Sequence, residues 1–115
     1  MPAVGLGVGA VEESTGRAVG AVETALRAGY RLVDTASVYG NEGEVADGLE
    51  RSGVPREKVF LTTKLWIADY GYDSALRSFE ASLRRLRTDH IDLYLLHQPM
   101  PWNFDATVHA YQALE

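Results

Sequence analysis

Four hydrophobic runs end near positions 8, 34, 64 and 97, about every 30 residues, and this recurrence limits the possible folds more than any other feature of the chain. A spacing of about 30 residues is the size of one strand, helix and strand crossover. Such crossovers are right-handed and connect parallel strands. The pattern therefore predicts four parallel strands, each followed by a helix. That is half of an eightfold barrel or a small open sheet.

The segments between the strand ends support this reading. A short apolar start, Ala3-Val4-Gly5-Leu6-Gly7-Val8, precedes Ser14 or Thr15 as a helix cap and then Ala18, Val19, Val22, Ala25 and Leu26 at helical spacing. Gly29 stands where glycine favours a helix end. A strand over 31–35 leads to Asn41-Glu42-Gly43-Glu44, which reads as an Asn cap with an acid three residues on, followed by Val45 and Leu49. After a turn at Ser52-Gly53-Val54-Pro55 comes a strand over 59–64. The third helix carries Leu76, Phe79, Leu83 and Leu86 three and four apart with charges between them. A strand over 91–96 and the loop Gln98-Pro99-Met100-Pro101 precede a fourth helix, marked by Val108, Tyr111 and Leu114 and running to Glu115 without a stop signal.

Bulk properties exclude several classes. The chain has 115 residues, 46% of them apolar and 23% charged, which suits one soluble globular domain. Its net charge is -5 and its densest basic stretch, Arg84-Arg85 with Arg87, reads as the solvated face of a helix, so no nucleic-acid footprint is present. Without cysteine there is neither a disulfide framework nor a thiolate metal site. No apolar run approaches the ~20 residues of a membrane helix, and the start Met1-Pro2-Ala3-Val4-Gly5 lacks the regions of a signal peptide. A soluble, cytoplasmic protein with no membrane partner is the expectation.

Three of the runs end on a reactive group: Asp34, Lys64 and His97. Tyr39 follows Asp34 by five residues, in a turn-rich stretch. In strand and helix repeats the carboxyl ends of parallel strands converge on one rim, which carries the chemistry. Tyrosine is a weak acid, with a reference pKa of about 10, and a neighbouring ammonium stabilises its phenolate. Lys64 can supply that ammonium and Asp34 can hold it in place. His97 can donate to a substrate oxygen or carry a proton. Together these groups suit proton transfer at the oxygen of a carbonyl or alcohol. No nucleophile stands at a recognisable spacing from a base, so covalent hydrolysis is not expected.

Each residue has an ordinary alternative: a surface tyrosine, a solubilising lysine, a turn-capping aspartate, a satisfied histidine. Their joint placement at successive strand ends favours the chemical reading. Trp66 and Trp102 closely follow the third and fourth strands and can wall a pocket for an apolar carbonyl compound, or simply pack loops onto the barrel. Gly5-Leu6-Gly7-Val8-Gly9-Ala10 fits a dinucleotide fingerprint, but Glu12-Glu13-Ser14-Thr15-Gly16 delays the helix that motif needs. His90, His97 and His109, seven and twelve residues apart, match no compact metal pattern.

The stretch Gly29-Tyr30-Arg31-Leu32-Val33-Asp34-Thr35-Ala36-Ser37-Val38-Tyr39-Gly40-Asn41-Glu42 resembles the signature of the aldo-keto reductases. Thr63-Lys64-Leu65-Trp66 and Asp92-Leu93-Tyr94-Leu95-Leu96-His97 are similar to further family motifs, and the resemblance runs from about Met1 to Glu115. Bacterial members of the 2,5-diketo-gluconate reductase type look nearest. The resemblance implies an eight-stranded barrel that reduces aldehydes and ketones with NADPH, and a catalytic tetrad of Asp34, Tyr39, Lys64 and His97, with Asp34 also near the nicotinamide ribose.

Two departures qualify this. Many relatives carry an aromatic residue where Gly9 stands, which implies a pocket here that is either wider or filled from elsewhere. Eightfold barrels run to about 250 residues, so the resemblance implies that residues 1–115 form the N-terminal half of one, truncated in its fourth helix and lacking most of the cofactor site. Two expectations follow from different classes: a reductase half that alone binds NADPH weakly or not at all, or a non-catalytic module that self-associates through exposed sheet edges as a homodimer. A third is an open sheet with a cofactor site at Gly5 to Ala10.

Overall fold

The structure is a computed structural model and describes residues 1–9 and 15–115. Four strands alternate with four helices: β1 (Leu6–Gly7), α1 (Arg17–Arg27), β2 (Leu32–Asp34), α2 (Glu42–Ser52), β3 (Phe60–Leu65), α3 (Tyr72–Leu86), β4 (Leu93–Leu96) and α4 (Phe104–Leu114). All strands are parallel and lie in chain order, β1-β2-β3-β4. This is the expected (βα)4 arrangement. Among the described residues β1 and β4 each pair on one side only, and no helix is long and apolar enough to cross a membrane.

The register decides which residues share a face. Asp34 is opposite Thr62, and Lys64 is opposite Leu95. Because side chains alternate along a strand, Asp34, Thr62, Lys64, Leu95 and then His97 all belong to one face. Val33, Leu61, Thr63, Leu65, Tyr94 and Leu96 belong to the other, against which the helices pack. Val33, Leu61, Val22, Leu26, Val45 and Leu86 form the main buried cluster there, and Leu65, Ala75 and Ala110 a second one.

The ends of α1 follow local chemistry, with one revision. Gly29 takes φ +104, Tyr30 N–H donates to Ala25 O at 3.0 Å and Gly29 N–H to Leu26 O at 3.1 Å, so glycine terminates α1 as expected. At the other end Gly16, one residue past Thr15, holds the cap position, with φ +73 and its N–H donating to Glu44 Oε1 at 2.6 Å. Thr15 Oγ1 accepts from Arg17 N–H at 3.4 Å. Ser14 and the helix-delaying Glu12 and Glu13 lie outside the described residues, as does Ala10 of the glycine run.

The apolar faces of α3 and α4 differ from the stripes their spacing suggests. In α3 the buried residues are Ala75, Ser78, Ser82 and Leu86, whereas Leu76 is 40% exposed. Small residues let α3 approach the sheet closely. Leu76 and Phe79 turn toward β4 and α4: Phe79 meets Tyr94 of β4 edge-on at 5.1 Å, and a groove of about 290 Å³ lies between Leu76, Phe79, Tyr94, Ala113 and Leu114. In α4 Thr107 and Ala110 are buried, while Val108 and Tyr111 are exposed on a flank that no described element covers.

The helices α1 and α2 meet at Gly48. A Cβ there would come within 2.6 Å of Val22 Cβ and 2.8 Å of the Val19 carbonyl oxygen. Overpacking costs about 1–3 kcal/mol, against a gain of about 1 kcal/mol for alanine over glycine within a helix. Gly48→Ala is therefore expected to lower the urea midpoint, by up to about 2 kcal/mol of stability. An unchanged or raised midpoint would show that the two helices can part at no cost.

Candidate active site

Backbone ladders carry three of the four groups to one rim. Val8 N–H donates to Asp34 O at 3.1 Å, Thr35 N–H to Thr62 O at 2.9 Å and His97 N–H to Leu65 O at 3.0 Å, so the pairing continues one residue past β1, β2 and β4. On that rim Lys64 Nζ donates to Asp34 Oδ1 at 2.6 Å and to Thr35 O at 3.0 Å. The lysine side chain is 15% exposed and the aspartate 37%. Asp34 thus holds the amine with one oxygen and keeps accessible surface for another partner.

Tyr39 arrives from an excursion between β2 and α2. A single helical turn, Ser37–Tyr39, ends at Gly40 with φ +68, a conformation that glycine adopts without strain. Buried polar groups close the excursion: Thr35 Oγ1 donates to Asn41 Oδ1 at 2.9 Å, and Asn41 Nδ2 donates to Val8 O at 3.0 Å. Asn41 occupies the cap position of α2 as expected, yet its side chain makes no cap bond, because β1 and β2 claim it. Glu44 likewise reaches back to Gly16 and not to the start of its own helix. These partners are distant in sequence, which is why local spacing did not reveal them.

So held, the Tyr39 ring lies 5.4 Å from Lys64 Nζ and 5.6 Å from the His97 ring, edge to face at 89°. Trp66 also meets the His97 ring edge to face, ring centroids 5.1 Å apart. Trp102 joins none of these ring contacts; it is 72% exposed on the turn after β4. Gly9 matters for a reason other than pocket width. A Cβ at that position would fall 2.9 Å from Tyr39 Cζ and 3.0 Å from its hydroxyl oxygen, so glycine lets the chain pass beside the phenol.

His97 Nδ1 is buried without a hydrogen-bond partner. Burial holds the imidazole below its ordinary value, the Lys64 charge lowers it further, and Asp34 opposes the shift in part. The ring is therefore neutral near pH 7, and Nε2 is the nitrogen left to reach a ligand.

The aldo/keto reductase family model matches residues 3–115. The chain belongs to the aldo/keto reductase family. Over its whole length it is 50% identical to morphine 6-dehydrogenase of Pseudomonas putida, spanning 38% of that protein. It is 45% identical to glyoxal reductase of Bacillus subtilis over 99% of this chain and 41% of that one. Among solved structures, an aldo/keto reductase from Brucella melitensis superposes with TM-score 0.92 at 47% identity, over 99% of this chain and 43% of the other. A protein described as a putative 2,5-diketo-D-gluconic acid reductase B gives TM-score 0.80 at 48% identity, over 86% and 34%. The Bombyx mori aldo-keto reductase solved in complex with NADP gives 0.86 at 36%, over 99% and 42%. The chain thus spans about two fifths of the length of the curated relatives it matches, and its four parallel units correspond to part of the aldo-keto reductase barrel.

The histidine shift has a pH consequence. Protonation is harder in the folded chain than in the unfolded one, so this contribution to stability is full above the ordinary value of 6.5 and is lost as pH falls through it toward the lower folded value. An NMR titration of the His97 ring is expected to give a midpoint below 6.5, moved upward by Lys64→Met. A midpoint at or above the ordinary value would contradict the burial and charge described.

Proposed function

We propose that these residues are the acid–base centre of a carbonyl reductase that converts aldehydes or ketones to alcohols with NADPH. The observation that carries this reading is the Lys64 amine, bonded to Asp34 at 2.6 Å and 5.4 Å from the Tyr39 ring, with His97 edge-on to that ring. Names of relatives such as glyoxal reductase and morphine 6-dehydrogenase support it. The neighbour solved with NADP supports the cofactor.

The residues present fit the nicotinamide end of such a cofactor: the partly exposed Asp34 carboxylate can accept from a ribose hydroxyl, and neutral His97 lies beside the phenol. The cofactor, when bound, supplies a hydride to the carbonyl carbon. Tyr39 gives its phenolic proton to the carbonyl oxygen as the π electrons move there. Lys64 stabilises the phenolate left behind, and Asp34 keeps the amine aimed through its 2.6 Å bond. His97, protonated on Nε2, donates to the same oxygen and orients the substrate. Trp66, against His97, supplies an apolar wall. Trp102 is exposed and free to contact substrate from its turn. Residues 1–115 act in this reading as the N-terminal half of the barrel, in the cytoplasm.

In the enzyme that carries this chain, Tyr39→Phe is expected to lower kcat for aldehyde reduction by about 10²–10⁴-fold. NADPH affinity, read by fluorescence titration, stays unchanged because only the proton donor is deleted. Wild-type turnover in that variant would remove Tyr39 as the acid.

A second reading rests on the edges. Among the described residues no strand pairs with the outer side of β4, and Leu95 and Tyr111 there are 38% and 56% exposed. Unpaired edges favour pairing between chains, so a non-catalytic homodimer joined at its sheet edges is the alternative. Light scattering after size exclusion separates it from a monomer: a dimer mass supports it and a monomer mass excludes it.

A further inference from the structure

Glu42 takes no part in the proton transfer above, yet its carboxylate is 1% exposed. A buried charge is tolerated only when it is paired and fully hydrogen-bonded. Both oxygens are engaged. Thr63 Oγ1 donates to Oε1 at 2.6 Å and Arg85 Nε donates to Oε2 at 2.6 Å. Arg85 is braced in turn by Ser82, whose Oγ accepts from Nη2 at 3.2 Å.

The partners lie on three elements, α2, β3 and α3. Glu42 follows Tyr39 by three residues, and Thr63 directly precedes Lys64. The Glu42 to Thr63 bond therefore joins the segment bearing the phenol to the strand bearing the amine, on the helix side of the sheet. Asn41 ties the same segment to Thr35 and Val8, but none of its bonds reaches β3. Before Tyr39 the segment is tied to β3 by Thr35 N–H to Thr62 O at 2.9 Å, Lys64 Nζ to Thr35 O at 3.0 Å and Ser37 Oγ to Lys64 O at 3.0 Å, whereas Glu42 ties it to β3 after Tyr39.

We propose that Glu42 is a positioning residue that sets the placement of Tyr39 over Lys64. Its mechanistic meaning rests on the reductase reading, in which Tyr39 is the acid. Arg85 anchors the buried carboxylate through Oε2, and Thr63 on Oε1 turns that anchor into a fixed distance between segment and strand. A misplacement of about 1 Å at a reacting group can cost about 10²-fold in rate.

Glu42→Gln retains an acceptor for Thr63 and sets an amide N–H against Arg85. Thr63→Val removes one hydroxyl at nearly constant shape and leaves the ion pair. Thr63→Ser restores the hydroxyl. The first readout is the NMR cross-relaxation between the Tyr39 and His97 rings, which needs no activity. The second is kcat per folded molecule with KM for NADPH.

The expected result is ring cross-relaxation at least halved in Glu42→Gln and Thr63→Val and recovered in Thr63→Ser, with kcat down by about 10- to 100-fold and KM for NADPH unchanged. Unchanged ring cross-relaxation in Thr63→Val, with only a lower melting temperature, would show Glu42 to be purely structural and overturn the proposal. If Glu42→Gln does not fold, the two threonine variants decide alone. A wild-type enzyme without carbonyl reduction would sink the reductase reading, while the ring measurement would still decide the positioning claim.

Discussion

A buried amide governs this site. Asn41 is fully buried, and its two polar atoms are bonded to Thr35 and to Val8. Leaving such groups unpaired in the interior would cost about 1–3 kcal/mol each. The excursion of residues 35–41 is therefore held in a closed form. That form carries Tyr39 back across the ends of the strands it has just left. Everything proposed about proton transfer depends on this return, because Asp34 and Lys64 would otherwise face an open rim.

The strand ends make the complementary contribution. Parallel pairing with the observed register puts Asp34, Lys64 and His97 on one face, and the alternation of a strand allows no other outcome once Asp34 is opposite Thr62 and Lys64 opposite Leu95. The opposite face supplies the adhesion, through Val33, Leu61 and Leu65 against the helices. Thr63 is on this second face yet adjoins Lys64, so the packing layer and the reactive layer are one residue apart.

Much of this was legible in the sequence. The spacing of strand ends predicted four parallel units, and the reactive residues ending three runs predicted the rim where they meet. What local pattern could not supply was any decision that rests on a distant partner. Asn41 and Glu44 look like a helix start, and the structure turns both side chains toward other elements. Leu76 and Tyr111 look like core, yet neighbouring small residues, Ala75 and Ala110, take the inward positions because close approach to the sheet favours them. Glu42 carried no signal at all. A carboxylate in the first turn of a helix is ordinary, and only the approach of Thr63 and Arg85 reveals its burial.

Whether the four groups meet on one rim is decided by a crystal structure of the chain. The expected density shows the Lys64 amine bonded to the Asp34 carboxylate and near 5.4 Å from the centre of the Tyr39 ring, with the His97 and Tyr39 rings edge to face. Electron density placing the phenol away from the amine, with Asn41 turned out to cap its own helix, would contradict it.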